Sequence, residues 1–485
     1  MPQPPHSLSR AARLLSPISR AAVASGLCAL AGLSAQTPAP SSALRSTLPY
    51  IQPAMFDAEF WIRKCPDADR PILDAQGVAA FNARIRAQLP KFYFDLAAMG
   101  PTIPGEKLRA LIEPPEYPAV LIYVNGKPME PGFLEALFGR MNLEGIGDAN
   151  PVRFGYVVRR ANLRRFPSDD FCGTSAEERC IDQLQSDSVD PATPVAILHA
   201  SRDGQWFYVC CRDYSGWLSA GNVALEPDPA AFRAYVESPR FLVVTGSGIR
   251  LGFNPYSPEL SELPFEMGAR LPLVLDERVP ASVDHQDITG NYIVRLPTRG
   301  PDGLVRFKLA LVSAAQDVRD GYLPYTRANL LRQAFKVLGE RYAWGGLGLG
   351  KDCSAFLQDV YASCGILLPR DSGQQRQVRN AADVHFDPLD LDYGRRAAAI
   401  RNLLPGAELF WDGHVLLYVG EHGGRLFALH SIWDYGDANR PKGARIPWQA
   451  CEPVDVYQAT LMELTLQQSY NGKAFERLVA GKRYE

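Results

Sequence analysis

Between Tyr342 and Gln375 the chain reads "YAWGGLGLGKDCSAFLQDVYASCGILLPRDSGQQ", which sets one cysteine behind a run of glycines. A cysteine attacks carbonyl carbon as the thiolate, and its pKa falls at a helix N-terminus or beside an imidazolium. Phe356, Leu357, Val360, Tyr361 and Cys364 follow Cys353 at helical spacing, so Cys353 is expected at a helix start. The glycines before it let backbone approach a substrate. His414 opens an alternating apolar run that sends His414, Leu416 and Tyr418 to one face of a strand. His430 falls on the next run, beyond a "HGG" turn, where it can orient His414. Nucleophile, base and orienter are then Cys353, His414 and His430.

Each of these residues also has a plain structural reading. A cysteine at a helix start is most often a small buried hydrophobe, and Cys364, on the same face as Phe356 and Val360, is expected to be one. His422 lies in the turn and His385 in a loop, so both are expected at the surface. Tyr342 and Trp344 are core aromatics or substrate contacts. Asp352 either caps the helix or meets a substrate ammonium group. Arg370, Asp371 and Ser372, in "LPRDS", form a turn or a subsite. "GGLGLG" lacks the spacing and the Lys-Ser/Thr ending of a phosphate loop. The histidines and cysteines have no zinc spacing, and no metal or organic cofactor is expected.

The elements that must position these groups follow from pattern. "PYTRANLLRQAFKVLGERY" predicts a helix capped by Thr326, with Leu330, Leu331, Ala334, Phe335 and Leu338 on one face. The Cys353 helix is expected to end at Gly365. "AELFWDGHVLLYVGEHGGRLFALHSIWD" predicts two strands. Upstream, "AQGVAAFNARIRAQL" places Val78, Phe81, Ile85 and Leu89 at helical spacing, and Pro104 is expected to open a short helix. An Asn-Gly turn follows an apolar run at "YPAVLIYVNGKPM". From about residue 151 the period shortens to strands split by "RDG" and "YSG" turns, as in a small barrel. A second β-rich block begins near "RFLVVTGSGIRLG".

The chain's 485 residues hold several domains, and a net charge of -2 offers no global attraction to nucleic acid. At the N-terminus, Arg10, Arg13 and Arg20 precede a small-apolar run from Ala21 to Ala35, the pattern of a secretory signal. Cys28 suggests lipidation, although Leu27 stands where a small residue is normally required. No later segment is long enough for a transmembrane helix, so no stable membrane insertion is expected. Export would permit disulfides among the nine cysteines, with Cys172 and Cys180 the leading candidates.

Taken in order, "YAWGG", "DCSAF", "LPRDS", "GHVLLYVG" and "LHS" resemble the NlpC-type cell-wall cysteine peptidases over residues 322–440. "FNARIR", "RANLRRFPSD" and "DGQWFYV…YSGWL" are similar to the upstream parts of multidomain members. The resemblance implies a multidomain α+β chain. Residues 1–35 would be a signal peptide, 36–150 a mainly helical region, 151–228 and 229–320 two SH3-like β-barrels, and 321–485 a papain-like α+β peptidase domain. It implies hydrolysis of the γ-D-glutamyl bond to diaminopimelate or lysine in peptidoglycan stem peptides, by Cys353, His414 and His430. Tyr342 would lie near the oxyanion, and Asp352, Ser354, Arg370, Asp371 and Ser372 would line the glutamyl and N-terminal alanine subsites. The first barrel, through Tyr214, would wall off the cleft and favour a free L-Ala amino terminus. The implied setting is the periplasm or the cell exterior, at the wall. Lys351 departs from the pattern, which more often has an aromatic or small residue there, and Asp383–Arg401 reads as an insertion. The alternatives are a Cys-His amidase or acyltransferase, and a wall-binding scaffold with a weak or inactive peptidase domain.

Overall fold

A computed structural model describes residues 44–112, 123–275, 279–441, 451–466 and 472–485. The signal-like segment and Cys28 lie outside the described residues. Asp57, Asp74, Asp228, Thr326, Asp352 and Asp392 each stand one residue before a helix and accept a backbone N–H from its first turn. These caps start α1 (Ala58–Ile62), α2 (Ala75–Gln88), α5 (Pro229–Val236), α6 (Arg327–Lys336), α7 (Cys353–Ser363) and α9 (Tyr393–Leu403).

The N-terminal region adds α3 (Gly105–Ile112) and α4 (Phe133–Arg140). The helix expected to open at Pro104 starts at Gly105, because residues 102–104 are extended and pair with residues 149–151. Among the described residues, this region has no core cluster of its own. Trp61, Phe81, Ile85 and Tyr93 pack among the helices of the C-terminal domain, whereas Leu108, Ile112, Leu137 and Met141 pack under the first barrel. Pro71–Leu73 also pairs with the entry to α6.

The first barrel comprises β1 (Arg153–Val157), β2 (Ala161–Arg164), β3 (Gln185–Val189), β4 (Pro194–Ala200), β5 (Trp206–Cys210), β6 (Ser215–Ser219) and β7 (Val223–Glu226). They form one antiparallel sheet in the order β7-β1-β4-β5-β6-β2-β3. Strand alternation sends Tyr208 and Cys210 to one buried layer and Val209 and Cys211 to the other. The expected disulfide is absent. Cys172 and Cys180 are free thiols. Cys172 is turned fully into the barrel core, while the Cys180 sulfur faces the Arg341 guanidinium at 3.9 Å.

The second β domain holds β8 (Phe241–Val244), β9 (Gly248–Arg250), β10 (Pro264–Glu266), β11 (Arg270–Pro272), β12 (Asn291–Arg299), β13 (Val305–Ser313) and β14 (Val318–Asp320). Its strands pair as β11-β8-β14, β9-β10 and β12-β13 around a separate apolar core.

The C-terminal domain sets α6, α7, α8 (Ser372–Gln375) and α9 about an antiparallel sheet. Its strands are β15 (Val384–His385), β16 (Glu408–Trp411), β17 (His414–His422), β18 (Arg425–Pro441), β19 (Cys451–Glu463) and β20 (Ala480–Lys482), in the order β15-β20-β16-β17-β18-β19. Along β17, Val415, Leu417 and Val419 pack in the core that holds α6 and α7, while Leu416 and Tyr418 pack in the core that holds α9. The Asp383–Arg401 segment supplies β15 and most of α9, so it is built into that second core. Among the described residues, no helix is long and apolar enough to cross a membrane.

Candidate active site

Cys353 is the first residue of α7, and the backbone N–H groups of Val415 and Ser354 lie near enough to its sulfur to favour the thiolate. The N-terminus of α7 therefore abuts the start of β17, one residue from His414. Nε2 of His414 lies 2.7 Å from Nδ1 of His430. The two histidines share one face of the β17–β18 pair, two positions apart across the register set by Leu417 opposite Leu429. Trp411 stacks on the His414 ring at 4.9 Å and stands edge-on to His430 at 5.7 Å, which fixes both planes.

The bond sorts the two nitrogens of His414. Nε2 is engaged by His430, so Nδ1 is the one that His430 does not occupy. To accept a proton there, His414 must carry its own hydrogen on Nε2 and donate it to His430. His430 is then protonated on its own Nε2, an atom that is buried and has no partner among the described residues.

Burial dominates the titration of these groups. It pushes the Cys353 thiol up to about 12, helped by the charge of Asp352 and opposed by the Val415 N–H, Arg370 and the Ser354 N–H. It pulls His414 down to about 3, with Arg477 adding to the fall. His430 is lowered by burial and then by His414. The closed site thus holds a neutral thiol and a neutral imidazole. The helix-terminus effect expected for Cys353 is outweighed, because only 8% of the residue reaches solvent.

Asp352 caps α7. Its Oδ1 accepts the Ala355 N–H at 2.9 Å and its Oδ2 the Gly345 N–H at 3.0 Å. Arg370 grips the same carboxylate with both Nη atoms, at 3.1 and 2.7 Å, and places Nε 2.7 Å from Asp187 of β3. Burial alone would raise Asp352, but Arg370 and the two backbone N–H groups hold it below the usual carboxylate range. Its oxygens are therefore committed to the cap and to Arg370, and a substrate ammonium group would have to compete for them. Ser354 Oγ donates to Asp352 and accepts from Arg370.

Asp371 caps α8 with Gln374, and Tyr214 of the first barrel lies near it. Ser372 begins α8, half-buried. Tyr342 is buried, edge-on to Trp433 at 5.4 Å, and Cys353 and Asp352 beside it contribute to raising its phenol. Trp344 is 41% exposed, and its indole donates to the Gln185 carbonyl of β3 at 3.1 Å. Of the two histidines expected at the surface, His385 is exposed, whereas His422 is half-buried with Nδ1 2.7 Å from Lys64 Nζ.

Sequence reasoning missed Asp187. It sits in the polar stretch "QSDSV" with nothing to mark it, and only packing of the first barrel brings it to Arg370. Burial pushes Asp187 up to about 6 despite that partner. Asp187, Asp352 and Asp371 thus set three carboxylates around one guanidinium.

Residues 339–432 match the NlpC/P60 family, and residues 171–219 match an SH3 domain of the SH3b1 type. The C-terminal domain is an NlpC/P60 domain. Cys353 and both histidines lie inside that match. The NlpC/P60 endopeptidase of Photobacterium damselae subsp. piscicida shares the fold, with a TM-score of 0.65 at 17% identity over 86% of this chain and 94% of that one. A gamma-D-glutamyl-L-lysine dipeptidyl-peptidase of Bacillus cereus is 29% identical over 181 residues, 37% of this chain. A probable endopeptidase p60 of Listeria innocua is 43% identical over 70 residues, 13% of this chain. The chain spans 48% of the first of these curated relatives and 15% of the second.

Proposed function

We propose that this chain is an exported cysteine endopeptidase of the cell wall. It would hydrolyse the γ-D-glutamyl bond to diaminopimelate or lysine in peptidoglycan stem peptides, with preference for a free L-Ala amino terminus. The observation that carries the reading is the arrangement at the start of β17, with the Cys353 sulfur against the Val415 N–H and His414 bonded to His430. The curated relative from Bacillus cereus, named for γ-D-glutamyl-L-lysine, supports the bond.

In this mechanism His414 Nδ1 takes the thiol proton as sulfur attacks the γ-carbonyl carbon of D-Glu. Base and nucleophile act together because neither is ionised beforehand. The backbone N–H of Cys353, at the start of α7, has no partner within the helix and can hold the developing oxyanion, such a donor being worth ~2.7–4 kcal/mol. His414 then protonates the leaving amine. Water, deprotonated by His414, cleaves the thioester to release the acid and restore the thiol. The carboxylates of Asp187, Asp352 and Asp371 would favour a free ammonium group, and Tyr214 would stand as the wall on that side.

Mass spectrometry of products from a panel of stem peptides tests this. Cleavage after D-Glu, lost in Cys353→Ala, is expected. Release of an intact stem from an N-acyl muramyl group would favour an amidase instead. Wall binding with no turnover by the wild type would favour a scaffold.

A further inference from the structure

Lys351, two residues before the nucleophile, is buried. Its Nζ lies 3.0 Å from Glu266 Oε1 and 2.5 Å from Asp359 Oδ2. Asp359 is on α7, while Glu266 ends β10 of the second β domain. The other Glu266 oxygen takes Arg160 at 2.6 Å, and Arg160 also pairs with Asp190 at 2.6 Å and donates to the Gly346 carbonyl at 3.0 Å. The Glu266 N–H returns to Asp190 at 2.7 Å. One buried cluster thus joins the first barrel, the second β domain and the loop that leads into α7.

The next two residues of the same turn also dock on α7. Met267 is buried in the core cluster that contains Phe356, Val360 and Tyr361. Gly268 has φ +84, and a Cβ there would stand 2.8 Å from the Cβ of Ala362 and 3.4 Å from the Asp359 carbonyl. On its other side, the Lys351 carbonyl accepts Ser431 Oγ at 2.7 Å, beside His430. Buried ion pairs add little net stability, and their best-attested use is to set register.

We propose that the turn Glu266–Met267–Gly268 of the second β domain sets the position of the nucleophile helix, with Lys351 as the positioning residue that holds Cys353 against the His414–His430 pair. The proposal rests on Cys353 being the nucleophile. Lys351 itself touches no reacting atom.

The cluster has a signature that a merely structural contact lacks. Three carboxylates, Asp190, Glu266 and Asp359, face two cations, Arg160 and Lys351. Burial raises Asp359 to about 7 and Asp190 to about 6, while the two cations hold Glu266 below its usual range against burial. The charges acting on Asp359 are Lys351, Glu266 and Asp190. With three carboxylates against two cations and burial raising Asp359 and Asp190, the cluster holds protons in mild acid and releases them as the pH rises, leaving a surplus negative charge beside α7.

The test uses the full chain, with kcat and KM on a stem peptide from pH 5.5 to 8.5. Iodoacetamide modification of Cys353, followed by peptide mapping, supplies a readout that needs no substrate. Glu266→Ala and Lys351→Met are expected to lower kcat roughly 10- to 100-fold with KM little changed, since a misplacement of about 1 Å can cost that much. Asp359→Asn should keep kcat at pH 6 and flatten its dependence between about pH 6 and 8. If Lys351→Met does not fold, Glu266→Ala, in a separate domain, carries the comparison. A folded Glu266→Ala protein with wild-type kcat, or an Asp359→Asn protein with the wild-type pH profile, overturns the proposal. Should the wild type cleave no stem peptide, the functional reading falls, and the alkylation rates still decide this one. A change of more than about 3-fold in Glu266→Ala supports it, and an unchanged rate overturns it.

Discussion

Replacing His430 separates the triad reading from a packed pair of histidines. In the resting site the 2.7 Å bond joins two neutral rings and contributes about 0.5–1.5 kcal/mol. Once His414 holds the thiol proton the same bond is charge-assisted, at about 1.5–3 kcal/mol. The difference, about 1–2 kcal/mol, appears only in the transition state and amounts to roughly 5- to 30-fold in kcat. Losing the tautomer that keeps Nδ1 free adds to this. His430→Leu should therefore lower kcat at least about 10-fold with KM unchanged. His430→Asn, which retains an acceptor, should recover part of the loss. The leucine fills a site with 0% exposure and takes away an Nε2 that had no partner, so it removes function without orphaning that atom. The assay is steady-state cleavage of a free stem peptide, with circular dichroism to establish folding. A folded leucine variant within about 2-fold of wild-type kcat would refute the assignment.

Asp352→Asn and Arg370→Met should each destabilise the protein by about 3–5 kcal/mol, because each leaves a charge buried without its partner. Their double mutant should lose less than the sum, by about 0.5–3 kcal/mol in urea denaturation, and strict additivity would exclude the buried pair. With the thiol up at about 12 and His414 down at about 3, alkylation of Cys353 in the free protein should climb about tenfold per pH unit from 6 to 9. A plateau below pH 7 would instead show a preformed ion pair. Stability should fall as pH drops below the ordinary imidazole range toward 3, because the unfolded chain binds the proton that folded His414 refuses. Tyr214→Ala should narrow the difference in kcat/KM between free and N-acetylated stem peptides, and an undiminished preference would move the wall elsewhere.

Much of the site was legible because its signals are local. The apolar period after Cys353 and the aspartate before it place the thiol at a helix start. Alternation after Gly413 puts His414 on a strand, and the "HGG" turn returns the chain so that His430 falls on the same face. Each signal depends on backbone geometry within a dozen residues, where pattern and propensity act directly. What packing decided was long-range. Asp187 reaches Arg370 across 183 positions, and Glu266 reaches Lys351 across 85. Lys351 stood out as a departure, but its partner Glu266 lies in another domain. The N-terminal helices, regular in sequence, divide between two cores that other segments supply. Cys172 and Cys180 lie close in the chain yet point to different surroundings, so proximity along the sequence was a poor guide to pairing. Burial, too, belongs to the assembled fold, and it turns an expected low-pKa thiol into a neutral one. The sequence alone therefore marked the groups to which the proposed chemistry is assigned. The tertiary structure decided their protonation and what holds them in place, because desolvation and ion pairing depend on neighbours that only folding brings together.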